Sequence, residues 1–323
     1  MGNRQFHIIA LAFVVLGIIT MPSCENVVTI DLDPGDPQLV AFCLLQNGES
    51  PRVHLTHSIG ATQGGLITPV PDASVSINSP NQSIGNFVYS ETDIATWSDE
   101  FNGNTVIDGL YHLDIDATVA WQAGEEYNLE ISAPGYETIT ANTNFPTIVP
   151  IENIDTSWYN GKFDISSDAD DVGFYLKVDI TISDPPNEKN YYTLVAKAQG
   201  DYGNDKLPVS GNDIKLGQYE YVGKKIYFTD NLFDGETVTL SFLVDAALLA
   251  FYEDPYYPQN GDRALSLRLR MPNKDWYDYQ YTRNRQANVS GPFSEPIIMH
   301  DNIDGGNGIF AAEEFYFETI IFE

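Results

Sequence analysis

The 323-residue chain is poor in cysteine, with only Cys24 and Cys43. Two are too few for a disulfide-built scaffold. Basic residues are scarce: 16 Lys and Arg stand against 46 Asp and Glu, a formal net charge of −30. Nucleic acid is excluded as a partner on that ground, because phosphate binding needs a basic footprint. Electrostatic docking on an anionic bilayer is excluded for the same reason. The longest apolar run, Ile8 to Ile19, has 12 residues, against the ~20 a spanning helix requires. Amphipathic helical stretches are few. Nucleophile-elbow, H-E-x-x-H and P-loop patterns are missing, so no enzyme class announces itself. What is present is ordinary for a folded protein: 43% hydrophobic and 19% charged residues, too apolar for a disordered chain.

Arg4 followed by the run Ile8–Ile19 has the form of a signal peptide, residues 1–23. Ser23-Cys24 stands where cleavage belongs, and a cysteine after a small residue there is the signature of a bacterial lipoprotein. Cys24 is therefore the expected lipidation site. The covalent lipid is the one prosthetic group expected, and each buried CH₂ of its chains contributes ~0.8 kcal/mol to anchoring. The alternative is a plain secreted protein with an incidental Cys24. Cys43 lies in the apolar stretch Leu39–Leu45 and reads as a core residue. A Cys24–Cys43 disulfide is the second reading.

Period-2 alternation runs through the rest. Ala73–Ile77, Phe87–Tyr89, Gly109–Ile115, Gly124–Ile131 and Tyr136–Thr143 are strands separated by turns such as Asn78-Ser79-Pro80-Asn81 and Pro134-Gly135. Short strands at this spacing predict an immunoglobulin-like, carboxypeptidase-regulatory-like β-sandwich over residues 24–146. Pro146 and Pro150 interrupt the ladder. Residues 147–323 then predict a larger antiparallel β-sandwich or partly closed barrel. Its strands are Val172–Ser183, Asn190–Gln199, Tyr219–Thr229, Glu236–Val244, Arg263–Arg270 and Glu314–Phe322. Its one short helix covers Asn273–Arg285, with Asn273 as N-cap and Asp275 in the first turn. The fold class is all-β.

Six of the 16 basic residues fall between positions 263 and 285. Arg263, Arg268, Arg270, Lys274, Arg283 and Arg285 interleave there with Trp276 and Tyr277, the residue types enriched at binding hot spots. The stretch is a candidate partner surface. Exposed strand positions and a fold-defining role are the other reading. Gly305, Gly306 and Gly308 predict a structural turn, with Asp301 and Asp304 beside it as weak Ca²⁺ candidates; the EF-hand pattern fails because Ile303 occupies a ligand position. Asp164, Asp168, Asp170 and Asp171 read as a solvated loop. His54 and His57 point to opposite faces of a strand, which disfavours a shared metal. His112 reads as solvent-facing. His300-Asp301 lacks a nucleophile to complete a triad.

Val28–Leu32, Leu39–Phe42, Pro51–Ser58, Thr68–Val75, Gly135-Tyr136 with Thr138–Pro146, Phe293–Pro296 and Asn302–Phe310 resemble a Bacteroidota lipoprotein family, domain of unknown function 4249. The motif from Asn302 to Phe310, roughly Asn-Ile-x-Gly-Gly-x-Gly-Ile-Phe, is the most specific part of the resemblance. The resemblance implies a lipid-anchored outer-membrane protein, often encoded beside TonB-dependent receptors. The expected function is a non-enzymatic accessory protein contributing to nutrient capture or envelope complex assembly. Its expected partners are an outer-membrane receptor or other envelope protein, and the membrane through the anchor. Cell-surface and periplasmic faces are both open. A direct glycan or peptide binder using the aromatic-rich second half is the alternative, and a hydrolase with an unrecognised site is the third reading.

Overall fold

The computed structural model describes residues 36–59, 68–80, 82–99, 103–113, 119–162, 172–199, 206–207, 209–211, 213–216, 220–222, 225–245, 263–288 and 297–322. The leader with Cys24 and the group Asp164, Asp168, Asp170 and Asp171 lie outside them. The described residues belong to one compact unit.

Alternation fixes what each strand buries. In β1 (Leu39–Gln46), Leu39, Ala41, Cys43 and Leu45 are fully buried and the residues between them are half-buried. Cys43 is a free thiol inside this core, and burial pushes its pKa far up. β2 (Arg52–His57) and β5 (Gly103–Leu113) extend this sheet, while β3 (Ser74–Ser79), β6 (Glu126–Ser132) and β7 (Ile139–Asn144) form the facing layer. β4 (Gln82–Asp99) joins the layers, pairing first with β3 and from Phe87 onward with β5. Between the layers Leu55, Tyr111 and Leu113 meet Ile77, Leu129 and Ile131. Trp121 closes one end, edge-on to Tyr127 at 4.9 Å.

The second layer pair follows the same rule. β8 (Ile151–Lys162), β9 (Val172–Ser183), β12 (Val209–Gly211) and β15 (Thr237–Val244) form a four-stranded sheet ordered β12-β15-β9-β8. Across its core lie β13 (Glu220–Val222), β14 (Lys225–Thr229), β10 (Tyr191–Gln199), β16 (Arg263–Pro272) and β17 (Asn307–Phe322), with short β11 (Lys206–Leu207) beside β10. Leu176, Val178, Ile180, Leu240 and Phe242 face Leu194, Ile226, Phe228, Leu267 and Leu269 in that core. Both pairs are open sandwiches, so the all-β class holds and the second half is a sandwich, not a partly closed barrel.

β17 belongs to both halves. Asn307–Glu313 pairs in parallel with β1, and Glu313–Phe322 pairs antiparallel with β16. One core draws on residues between 39 and 145 plus Ile303, Phe310 and Ala312, the other on residues between 149 and 271. The expected division at 146/147 falls between these cores, while the long sheet continues through β17. The single α-helix among the described residues, α1 (Lys274–Asn288), lies on the outer face of that sheet.

Several expected boundaries move: the helix runs on to Asn288, and Phe87–Tyr89 lies inside the longer β4. The expected strand Tyr219–Thr229 is divided into two antiparallel strands, β13 and β14. β17 starts at Asn307, seven residues before the expected Glu314, so Gly308 is a strand residue and only Gly305 and Gly306 form the turn.

Candidate functional site

The specific motif is built around β17. Asn302 uses its amide as a strand edge would: Phe310 N–H donates to its Oδ1 at 2.9 Å, and its Nδ2 donates to the Phe310 carbonyl at 2.8 Å. Ile303 fills the first core. Asp304 pairs by its backbone with Thr140 of β7, at 2.8 and 3.1 Å. The motif thereby ties the facing layer to the central strand. Gly305 has φ +81°, which only glycine adopts without strain. A Cβ on Gly306 would stand 2.7 Å from the Leu39 carbonyl oxygen and 2.8 Å from Ile139 Cγ2. A Cβ on Gly308 would overlap the Ala41 carbonyl oxygen outright. Of the two weak Ca²⁺ candidates, Asp301 accepts backbone N–H bonds from Ile303 at 2.9 Å and Gly308 at 2.5 Å. Asp304 is exposed.

On the opposite face of β17, α1 is fixed by its cap. Asn273 Oδ1 accepts the Trp276 N–H at 3.0 Å, and Asn273 Nδ2 donates to Thr143 Oγ1 at 2.6 Å. The cap so ties the helix start to β7. Trp276 then packs on Ile309, Ala311 and Phe42 and stacks on Tyr279 at 5.5 Å. At the join of β1, β16 and β17 sits Glu313, fully buried. Gln46 Nε2 donates to it at 2.8 Å, Trp276 Nε1 donates at 3.0 Å, and Arg270 lies 3.4 Å away. A buried carboxylate is tolerable only with such partners. Its neighbour Glu314 accepts from Asn47. Further along the helix, Gln280 Oε1 accepts from Tyr227 OH at 2.9 Å, and Tyr277 packs on Tyr191 at 4.9 Å.

The expected partner surface is therefore divided. Trp276 is 5% exposed and is a core residue. This is a correction: the helix lies face down, so its tryptophan turns inward. Arg270 is committed to Glu313, and Tyr277 to the tyrosines beneath it. Lys274 forms an ion pair with Asp278, which raises its pKa. Arg283 is half-buried on the helix, and Arg285 is exposed with its guanidinium 5.6 Å from the Tyr281 ring centre. Arg263 opens β16 opposite Phe322. Arg268 lies 4.8 Å over the Phe315 ring, with its pKa lowered by desolvation and by Arg270. Opposite it stands Phe317, 59% exposed, and four residues further along the same face Ile321, 62% exposed. Phe315, Phe317 and Ile321 share one strand face, opposite positions Arg270, Arg268 and Ala264. This arginine-flanked apolar strip was not visible as a unit in the sequence, because cross-strand neighbours are about 50 positions apart.

His300 Nε2 lies 2.8 Å from Asp275 Oδ1 on the helix, and not against the adjacent Asp301. His54 pairs opposite Phe42 and His57 opposite Leu39, on the two faces of β1–β2. His112 is half-buried, with Nδ1 2.8 Å from the Leu113 carbonyl. Sequence reading missed the acidic group Asp184, Asp230 and Asp234, whose nearest ligand oxygens lie within 4.8 Å of one another. The β9–β10 and β14–β15 connections, each crossing from one sheet to the other, bring them together. Asp184 accepts from Tyr192 OH and from Gly235 N–H at 3.0 Å, and Asp230 accepts from Lys189 and from Asn190 N–H at 2.7 Å. Burial, with Asp230 and Asp234 adding repulsion, raises the Asp184 pKa.

Two open sandwiches sharing one strand, with a capped helix on the shared sheet, define the class of protein. The chain belongs to the family described as domain of unknown function (DUF4249), whose model matches residues 25–314. No curated protein matches. A solved structure, the full-length major pilin SpaD from Corynebacterium diphtheriae, is similar at 13% identity and TM-score 0.19. The match covers 75% of this chain and 63% of the pilin.

Proposed function

We propose that this chain is a lipid-anchored outer-membrane protein of Bacteroidota type, held through Cys24. In this reading it has no enzymatic role and works beside a TonB-dependent receptor in nutrient capture or complex assembly. The observation that carries the reading is the bare strip of β16 and β17. Phe317 is exposed opposite Arg268, and Ile321 is exposed four residues further along the same face; exposed apolar side chains grouped with arginine mark protein contacts. The charge balance supports the same use. In a chain of net charge −30, an arginine-flanked apolar strip is where an acidic partner meets least repulsion. Apolar burial would supply affinity, and the arginines orientation.

The test is co-purification from mildly solubilised native membranes. Phe317→Asp with Ile321→Asp is expected to lower receptor recovery about tenfold, the loss of a single hot spot, with the melting temperature unchanged. Equal recovery with both variants folded overturns the proposed surface.

A further inference from the structure

The four-stranded sheet β12-β15-β9-β8 buries its inner face, and its outer face carries a second feature that does not depend on the docking strip. Tyr159 of β8 and Tyr175 of β9 are directly opposite one another, and Gly161 and Gly173 form the next outward pair. Side chains on a strand normally stand away from the sheet. These two do not. A Cβ on Gly161 would collide with the phenol end of Tyr159, and one on Gly173 with the phenol end of Tyr175. Each ring therefore folds down over its own glycine. Glycine weakens a strand interior, so two cross-strand glycines under two rings mark a place where the rings must lie low. Opposed side chains on neighbouring strands start about 5 Å apart, so the two half-buried tyrosines stand side by side on this face.

Below the rings the same face is set with fixed polar groups. Lys177 donates to Asp179 at 2.7 Å, and Ser241 donates to the other oxygen of that carboxylate. Thr181 and Thr239 hydroxyls are 2.9 Å apart. Asp155 and Asp179 are opposed across β8 and β9, with Lys177 beside them and Lys215 at the edge of β15, its Nζ donating to the Thr239 carbonyl at 3.0 Å. Two opposed carboxylates, on a chain that is already strongly acidic, disfavour phosphate, sulfate and acidic sugars.

We propose that the Tyr159–Tyr175 face is a binding platform for a neutral glycan. The ring faces would take the C–H face of one pyranose unit, as aromatic surfaces take apolar area while their hydroxyls stay hydrogen-bonded. The threonine, serine and aspartate oxygens along the strands would receive the hydroxyls of the next unit. A face four strands wide suits an extended chain rather than a free monosaccharide.

The full chain, purified in detergent, is run by affinity electrophoresis through gels containing soluble neutral polysaccharides: a mixed-linkage β-glucan, a xyloglucan, a galactomannan and an α-glucan. At least one is expected to retard it, and Tyr159→Ala with Tyr175→Ala is expected to weaken the affinity about tenfold. Tyr159→Phe with Tyr175→Phe keeps the rings and is expected to retain most of the retardation. Tyr159→Ala alone, on the edge strand β8, keeps the test readable where the double variant does not fold. Wild type unretarded by every polysaccharide, or retardation undiminished in a folded alanine variant, overturns the platform. Receptor co-purification is measured on the same variants and is expected to be unchanged, which separates this site from the β16–β17 strip.

Discussion

The outer face of β17 is covered along one half and bare along the other. Ile309, Ala311 and Glu313 lie beneath α1, sealed by Trp276 and the Gln46–Glu313–Trp276 hydrogen bonds. Four residues beyond Glu313 the same face shows Phe317, and four further on Ile321, both more than half exposed. The two halves share a strand and a pleat, the covered half paired with β1 and the bare half with β16, so strand propensity does not separate them. What separates them is a cover. Where the helix lies, apolar side chains and a buried charge hold the fold. Where it does not, apolar side chains are left for something else to cover.

The covered half breaks most severely at Gly308. Gly308→Val drives a side chain into the Ala41 backbone at φ +123° and is expected to cost at least ~4 kcal/mol, leaving little soluble folded protein. Expression and denaturant melts check it. Glu313→Ala strands Arg270, the Trp276 indole N–H and the Gln46 amide inside the join, a loss of about 3–5 kcal/mol by the cost of breaking a buried pair. Urea melts read that value directly, and a change under ~1 kcal/mol would show that the join is not so closely coupled.

A smaller effect sharpens the contrast between buried and exposed acids. Asp184 has a raised pKa in the folded state because it is desolvated. A raised folded pKa means that the folded state holds its proton more tightly than the unfolded chain does. The associated stability is fully present below the unfolded carboxylate range and is lost as pH rises through the folded value. Wild type is therefore expected to gain melting temperature, relative to Asp184→Asn, as pH falls from neutrality into the carboxylate range. Parallel pH profiles for the two proteins would remove Asp184 from that account.

Much of this architecture was legible along the chain. Val172–Ser183 matches β9 end to end because alternate positions Leu176, Val178, Ile180 and Ile182 form an unbroken apolar stripe. The helix start was legible from Asn273, whose cap is present. β8 was not legible, because as an edge strand with mostly exposed side chains it has no alternation to read. The early start of β17 was hidden by its glycines, which suggest a turn yet serve a close approach to β1. The basic stretch could not be resolved into parts, since strand and helix periods send neighbouring residues to opposite sides. Trp276 went inward with the helix stripe, and Arg268 stayed out with Phe317. The tyrosine platform and the Asp184 group depend on cross-strand and cross-loop neighbours that no local spacing encodes.

The most direct test of the docking account is photo-crosslinking in living cells. A benzoylphenylalanine is placed at Phe317 or Ile321, with exposed Leu232 in a loop as the control position. The account predicts one discrete adduct containing an outer-membrane receptor from both β17 positions, and none from Leu232. No adduct from Phe317 and Ile321, or the same adducts from all three positions, would contradict it.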